Sequence, residues 1–239
     1  MQKPCGTASA NPCSQIIFLA WLFIGWPPCG AQAAEESYGS WLIGSAGGAF
    51  GADSSLRWAV DTQLRHFDIG TGFHEYLIRP SIGLAVGPST RIWLGYGRFR
   101  NKTRSSFNAD ENRLWQQIDW RSSEVLGGSL TLRARTEQRD VTFSSDRRQV
   151  LRLMVSYRHP LGDTSATHWY TSVEPFFDLN TTDWGGGRGI SQNRVQLGVS
   201  TRLSAKTRVE AGFMHQFFWA ERGEDRVNLI ATLALRFAF

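Results

Sequence analysis

Apolar and polar side chains alternate with a period of two along most of the chain after residue 34. Over 226–239, Val227, Leu229, Ala231, Leu233, Leu235, Phe237 and Phe239 share one side, while Arg226, Asn228, Thr232 and Arg236 lie among the alternate positions. Successive side chains on a strand point to opposite faces, so this segment predicts a strand with one apolar face and one charged face. The same alternation recurs upstream. Val209, Ala211, Phe213, Phe217 and Trp219 oppose Arg208, Glu210 and Gln216, and Leu151, Leu153, Val155 and Tyr157 oppose Arg152, Ser156 and Arg158. No long segment after residue 34 carries the i, i+3, i+4 spacing of an amphipathic helix.

Eleven segments read as strands: 40–50, 56–66, 75–86, 90–100, 111–121, 129–139, 149–158, 168–179, 193–203, 207–219 and 226–239. A soluble β-sandwich alternates in the same way, with its apolar face as core. Two features of these segments favour a membrane barrel instead. They are long, where soluble strands average about 5–6 residues, and Trp58, Trp120, Trp169 and Trp219 flank the apolar faces as interfacial girdles do. The expected fold is therefore an all-β, up-and-down antiparallel transmembrane barrel. Bacterial single-chain barrels have even strand numbers with both termini in the periplasm. Ten strands are thus predicted, with twelve next, and Trp41–Phe50 is the segment to discard because Gly44, Gly47 and Gly48 weaken a strand. With Phe239 on the periplasmic side, Gly87-Pro88-Ser89 and Ser204-Ala205-Lys206 become short periplasmic turns, and 101–110 and 180–191 become long extracellular loops.

The N-terminus explains how such a chain would reach an outer membrane. Lys3 is the only charge before Glu35, Ile16 to Trp26 is an apolar run too short for a bilayer-spanning helix of about 20 residues, and Ala31-Gln32-Ala33 fits signal-peptidase cleavage. Residues 1–33 are predicted to be a cleaved signal peptide and 34–239 the barrel. Cys5, Cys13 and Cys29 all fall in the signal, so the mature chain has no disulfide and no thiolate metal site. Trp26-Pro27-Pro28 before Cys29 is not the small-residue context of a lipoprotein signal. The mature part carries 25 basic against 21 acidic residues, and only Lys102 and Lys206 among its cations are lysines. The arginines are spread along the chain, which argues against a nucleic-acid surface.

Several stretches carry more than a pattern. Tyr76-Leu77-Ile78-Arg79-Pro80-Ser81-Ile82-Gly83, Trp93-Leu94-Gly95-Tyr96, Glu111-Asn112-Arg113-Leu114-Trp115-Gln116-Gln117, Arg133-Ala134-Arg135-Thr136-Glu137-Gln138-Arg139 and Glu174-Pro175-Phe176-Phe177 resemble the family called domain of unknown function 2490. The resemblance spans roughly two-thirds of the chain. It implies an outer-membrane barrel of a Gram-negative cell and no established activity.

The polar face, read as lumen, holds Arg57, Arg65, Arg79, Arg98, Arg113, Arg133, Arg135, Arg139, Arg152, Arg158, Arg194, Arg202, Arg208 and Arg236. Asp61, Glu75, Asp119, Glu137, Glu174, Asp178 and Glu210 are available as partners. In a narrow barrel, buried charges persist only if paired or wet, so an ion-paired plug is expected, with Arg79, Arg133, Arg135, Glu137, Arg152, Glu174, Arg194, Arg208, Glu210 and Arg236 as its network. The alternative use of surplus arginine is a narrow path for small anions.

A different class, a membrane-embedded hydrolase acting on lipid or peptide, would need a base and an orienting carboxylate. His66, Asp68, His74 and Glu75, framing 67–73 at the extracellular mouth, are the candidates. Neither the serine-centred pattern of outer-membrane phospholipases nor the paired acids of omptin proteases is present. His159, His168 and His215 are not spaced as a metal pair, and Gly185-Gly186-Gly187 lacks the Lys-Ser/Thr of a phosphate loop. No cofactor is predicted. The expected partners are outer-membrane lipid and, through the strand ending in Phe239, the barrel-assembly machinery, with the protein itself a monomer.

Overall fold

The computed structural model describes residues 34–67, 73–102, 110–162, 166–221 and 223–239. The predicted signal peptide lies outside them. Ala33–Phe239 forms one unit. It consists of eleven strands: β1 (Glu35–Ala49), β2 (Leu56–Phe67), β3 (Phe73–Ala85), β4 (Thr90–Lys102), β5 (Asp110–Val125), β6 (Gly128–Val141), β7 (Arg148–Pro160), β8 (Thr167–Asp178), β9 (Gly189–Arg202), β10 (Thr207–Phe218) and β11 (Arg226–Ala238).

The strands close into a barrel in which each pairs with its sequence neighbours, and β1 meets β11. The count is eleven, not ten or twelve. Trp41–Phe50, the segment expected to be spurious, belongs almost wholly to β1. The physical reason for the discrepancy lies at the seam. Each hairpin reverses direction, so an odd count makes the first and last strands run the same way, and β1 pairs with β11 in parallel from Glu35↔Arg226 to Gly47↔Ala238. The even-number expectation assumed both chain ends on one rim. Instead the Glu35 amide donates to Asp225 on one rim, and the Phe239 amide donates to Gly47 on the other.

The rim that holds Phe239 also holds the final residues of β1, β3, β5, β7 and β9, and the opposite rim holds the final residues of the even strands and the connection 179–188. The tightest turn is Leu126-Gly127, where both φ angles are positive (49° and 75°), as a two-residue hairpin with the strands' own twist requires. On the long-loop rim, Trp184 Nε1 donates to the Asp146 carbonyl, and Ser144 donates to Asp183, knitting two loops together.

The two faces of the wall have opposite character. Facing out are Ile78, Ile82, Leu94, Leu114, Ile118, Leu197, Val199, Phe213 and Leu233, all exposed. Facing in are Trp41, Leu77, Phe99, Trp115, Phe176 and Ile230, packed among charged and amide side chains. Glycines on the inner face make room for these rings. A Cβ on Gly83 would overlap Trp93, one on Gly95 would overlap Trp115, and Gly198 and Gly212 lie under Tyr170.

Candidate functional site

The inward positions of β6, Arg133, Arg135, Glu137 and Arg139, sit in the middle of the lumen because every second residue of a strand faces the same way. Glu137 is 1% exposed. Its Oε1 accepts from Arg152 Nη1 of β7 at 2.6 Å, and its Oε2 accepts from Arg139 Nη2 at 2.6 Å. Arg152 reaches onward to Glu174 of β8, whose Oε1 also accepts from Arg133 Nη2 at 2.6 Å. Arg135 and Arg113 lie within 4 Å of Glu137 as well. Carboxylates shared among guanidinium forks in this way form one connected network, the condition under which buried charges are tolerated.

Aromatic rings extend the network across the lumen. Arg65 stands over Trp41, Arg113 over Phe99 and Arg152 over Phe176, while Arg194 contacts both Trp41 and Phe176. Towards the long-loop rim, Glu111 pairs with Arg113, Glu75 with Arg65 and Asp178 with Arg148. Asp61 and Arg79, opposite each other on β2 and β3, also pair. Near the Phe239 rim, Glu210 accepts from Arg158 through one oxygen and from Arg236 through the other, both at 2.7 Å.

Most of the expected network is thus drawn together. Arg208 faces inward but makes no ion pair among the described residues, and Arg194 is held by rings and not by a close carboxylate. Arg98, expected inside, points outward with Leu94 and Tyr96 and pairs with Asp110. The inward positions of β4 nearest to it are Gly95, Gly97 and Phe99, so polarity alone gives the wrong parity there. Sequence reasoning missed Glu111, Arg148 and the inward aromatics. Each could have been found from its parity, since Glu111 shares a face with Arg113, and Phe176 with Glu174.

The hydrolase candidates are divided by the wall. His66 and His74 oppose each other on β2 and β3 with rings 4.4 Å apart on the outer face, whereas Glu75 faces inward and pairs with Arg65. Asp68 lies outside the described residues. Among the described residues, no group of three or more His, Cys, Asp or Glu side chains is placed to hold a metal ion.

The family model described as protein of unknown function DUF2490 matches residues 38–228. The chain belongs to this family. An uncharacterized protein of Methylorubrum extorquens is 28% identical over 213 residues, covering 86% of this chain and 91% of that protein. No solved structure matches the chain. The DUF2490 match runs from β1 into β11 and contains the whole lumen network except Arg236.

Two cavities flank the network in this DUF2490 barrel. One, of about 540 Å³, opens at the long-loop rim and is lined by Arg65, Glu75, Glu111, Arg113, Arg139, Arg148 and Arg194 among others. The other, of about 550 Å³, opens at the Phe239 rim. On β6, Thr131 lines the second and Arg139 the first, with Arg133, Arg135 and Glu137 between them.

Proposed function

We propose that this chain is an integral outer-membrane β-barrel whose lumen is closed by its own ion-paired side chains, so that it acts as a non-conducting membrane scaffold. The observation that carries the reading is the inverted polarity of the wall. Phe213 is 75% exposed and Leu197 59%, whereas Glu137, Arg152 and Glu174 are buried inside. In water this arrangement would expose a continuous apolar belt and bury a charged core, which is unfavourable on both counts. In lipid it is the favourable arrangement, and closure leaves no unpaired sheet edge.

Three further features support it. Each strand has between 12 and 16 residues, enough to cross a bilayer that needs about 9–11 per tilted strand. Aromatics mark both ends of the outer face: Trp58 against Phe239 and the Tyr157, His159 and Trp169 group at one, Phe217 against Trp219 at the other. Residues 1–33 have the composition of a secretion signal, and the Phe239 strand would be the segment read by the assembly machinery.

Closure follows from the Glu137–Arg152–Glu174 layer between the two cavities. A general porin would need a water path past it. Extraction from outer membranes followed by heat-modifiable gel migration tests membrane embedding, and recovery as a soluble periplasmic protein refutes it. Planar-bilayer recording of the same preparation tests closure. Absent or very small conductance is expected, and a large stable conductance overturns the plugged lumen.

A further inference from the structure

The two cavities differ in how their charges are matched. At the long-loop rim, Arg65, Arg113, Arg139 and Arg148 each have a carboxylate partner, and of the lining cations only Arg194 and Arg226 have none among the described residues. The cavity at the Phe239 rim is lined by Arg121, Arg158, Arg202, Lys206, Arg208 and Arg236, with Glu210 as its only carboxylate among the described residues. Glu210 is already engaged by Arg158 and Arg236, one through each oxygen. Among the described residues, Arg121, Arg202, Arg208 and Lys206 have no ion pair.

The register sharpens this imbalance. Arg208 of β10 is directly opposite Arg202 of β9 on one side and Arg236 of β11 on the other. All three share the inward parity of Glu210 and Ser200, so three arginines follow one another across strands about 4.8 Å apart, with Arg236 held by Glu210 and Ser45. Like charges directly opposite across a sheet are destabilising; Arg113, Arg139 and Arg148 on β5, β6 and β7 form a similar row, but Glu111, Glu137 and Asp178 neutralise it, whereas the Arg202, Arg208 and Arg236 row has Glu210 alone. Bracing the barrel therefore accounts for the middle of the lumen and leaves this row unexplained.

We infer that the cavity at the Phe239 rim is a binding site for a small molecule carrying two or more phosphate charges, gripped by the Arg202, Arg208 and Arg236 row. Guanidinium forks bind phosphate oxygens bidentately, and a row of three spans two adjacent phosphates. Its volume of about 550 Å³ falls in the range of small-molecule pockets. Lys206, on the turn beside the opening, adds an exposed cation at the entrance. The proposal rests on the closed-lumen reading, which makes the cavity a blind vestibule that retains its ligand.

The test is calorimetric titration of inorganic pyrophosphate into the purified barrel in zwitterionic micelles. Saturable binding that weakens with added salt is expected. Arg208→Gln should lower affinity at least tenfold, Lys206→Gln several-fold, and Arg226→Gln at the opposite rim not at all. Heat-modifiable migration of each variant shows that the barrel is intact, and Lys206→Gln, on an exposed turn, keeps the test available if Arg208→Gln does not assemble. Absence of binding, or equal loss in Arg226→Gln, overturns the inference.

Repeating the titration in nanodiscs with and without cardiolipin, whose headgroup carries two phosphates, separates the two sources of phosphate. Unchanged binding identifies a soluble ligand. Competition that disappears in Arg208→Gln identifies a lipid headgroup, and either result supports phosphate recognition. Bilayer recordings of the same preparation keep the two claims apart: no binding with no conductance overturns this inference alone, while a large conductance overturns closure.

Discussion

Arg152 Nη1 donates to Glu137 Oε1 at 2.6 Å, and both side chains are almost wholly shielded from solvent. Because Arg139 and Arg152 share this one carboxylate, Glu137→Gln removes a charge partner from two buried guanidinium groups at nearly constant volume. Breaking one side of a buried pair costs about 3–5 kcal/mol. The expected result is a marked fall in the urea concentration at which the compact band disappears. Arg147→Ala, whose ion pair with Asp140 lies exposed at a loop, should leave that midpoint in place.

Leu42 of β1 lies on the outer face directly opposite Leu233 of β11 in the parallel seam. The chain from residue 34 has no cysteine, so Leu42→Cys combined with Leu233→Cys provides a clean report on closure. An intramolecular disulfide, seen as a faster-migrating unfolded band that reverts on reduction, is expected. A barrel of ten strands lacking β1 would not form it.

Gly95 lies under the Trp115 indole, where a Cβ has no room. Gly95→Ala should destabilise the barrel by about 1–3 kcal/mol, the usual cost of overpacking. Trp115→Leu in the same chain should return part of that loss in a double-mutant cycle. Strict additivity would show that the ring had not been displaced.

Leu126 holds a left-handed conformation (φ 49°) that a branched side chain adopts only with strain. Leu126→Gly should raise stability by about 1 kcal/mol, read as a higher urea midpoint. The Tyr157 hydroxyl donates to the Leu126 carbonyl, a contact the substitution preserves.

All eleven strands are legible in the sequence, because period-two alternation is strong wherever charge opposes aliphatic side chains. The number in the closed sheet is not, because it depends on whether one glycine-rich segment pairs as a strand. Gly44, Gly47 and Gly48 read as damage to a strand, yet a Cβ on Gly48 would press on the Phe239 backbone, so glycine there permits close approach at the seam. The ion-pair network is legible for the same reason as the strands: Arg133, Arg135, Glu137 and Arg139 fall on one parity and meet their partners by register alone. Arg98 and Phe99 show the limit. On β4 the inward face is built from glycine and phenylalanine, and the outward one ends in a charged residue at the rim, so side-chain polarity inverts there. The Arg202, Arg208 and Arg236 row was equally hidden, since its members belong to three strands and only the register places them side by side.

The parallel seam has a consequence for the order of assembly. Ser37 donates to Asn228 across a separation of 191 residues, in the seam that closes the longest loop of the fold, whereas every other strand pair is a local hairpin. Closure entropy grows with the length of chain enclosed, so the hairpins form first and the seam last. Until then two bare edges, β1 and β11, are open to the surroundings, and their joining requires the first strand to lie with its starting end on the rim away from Phe239. The final step of folding is thus the pairing of two edges already oriented by their hairpins, and its rate, more than the stability of the finished barrel, would set how long an unpaired edge stays available to other chains.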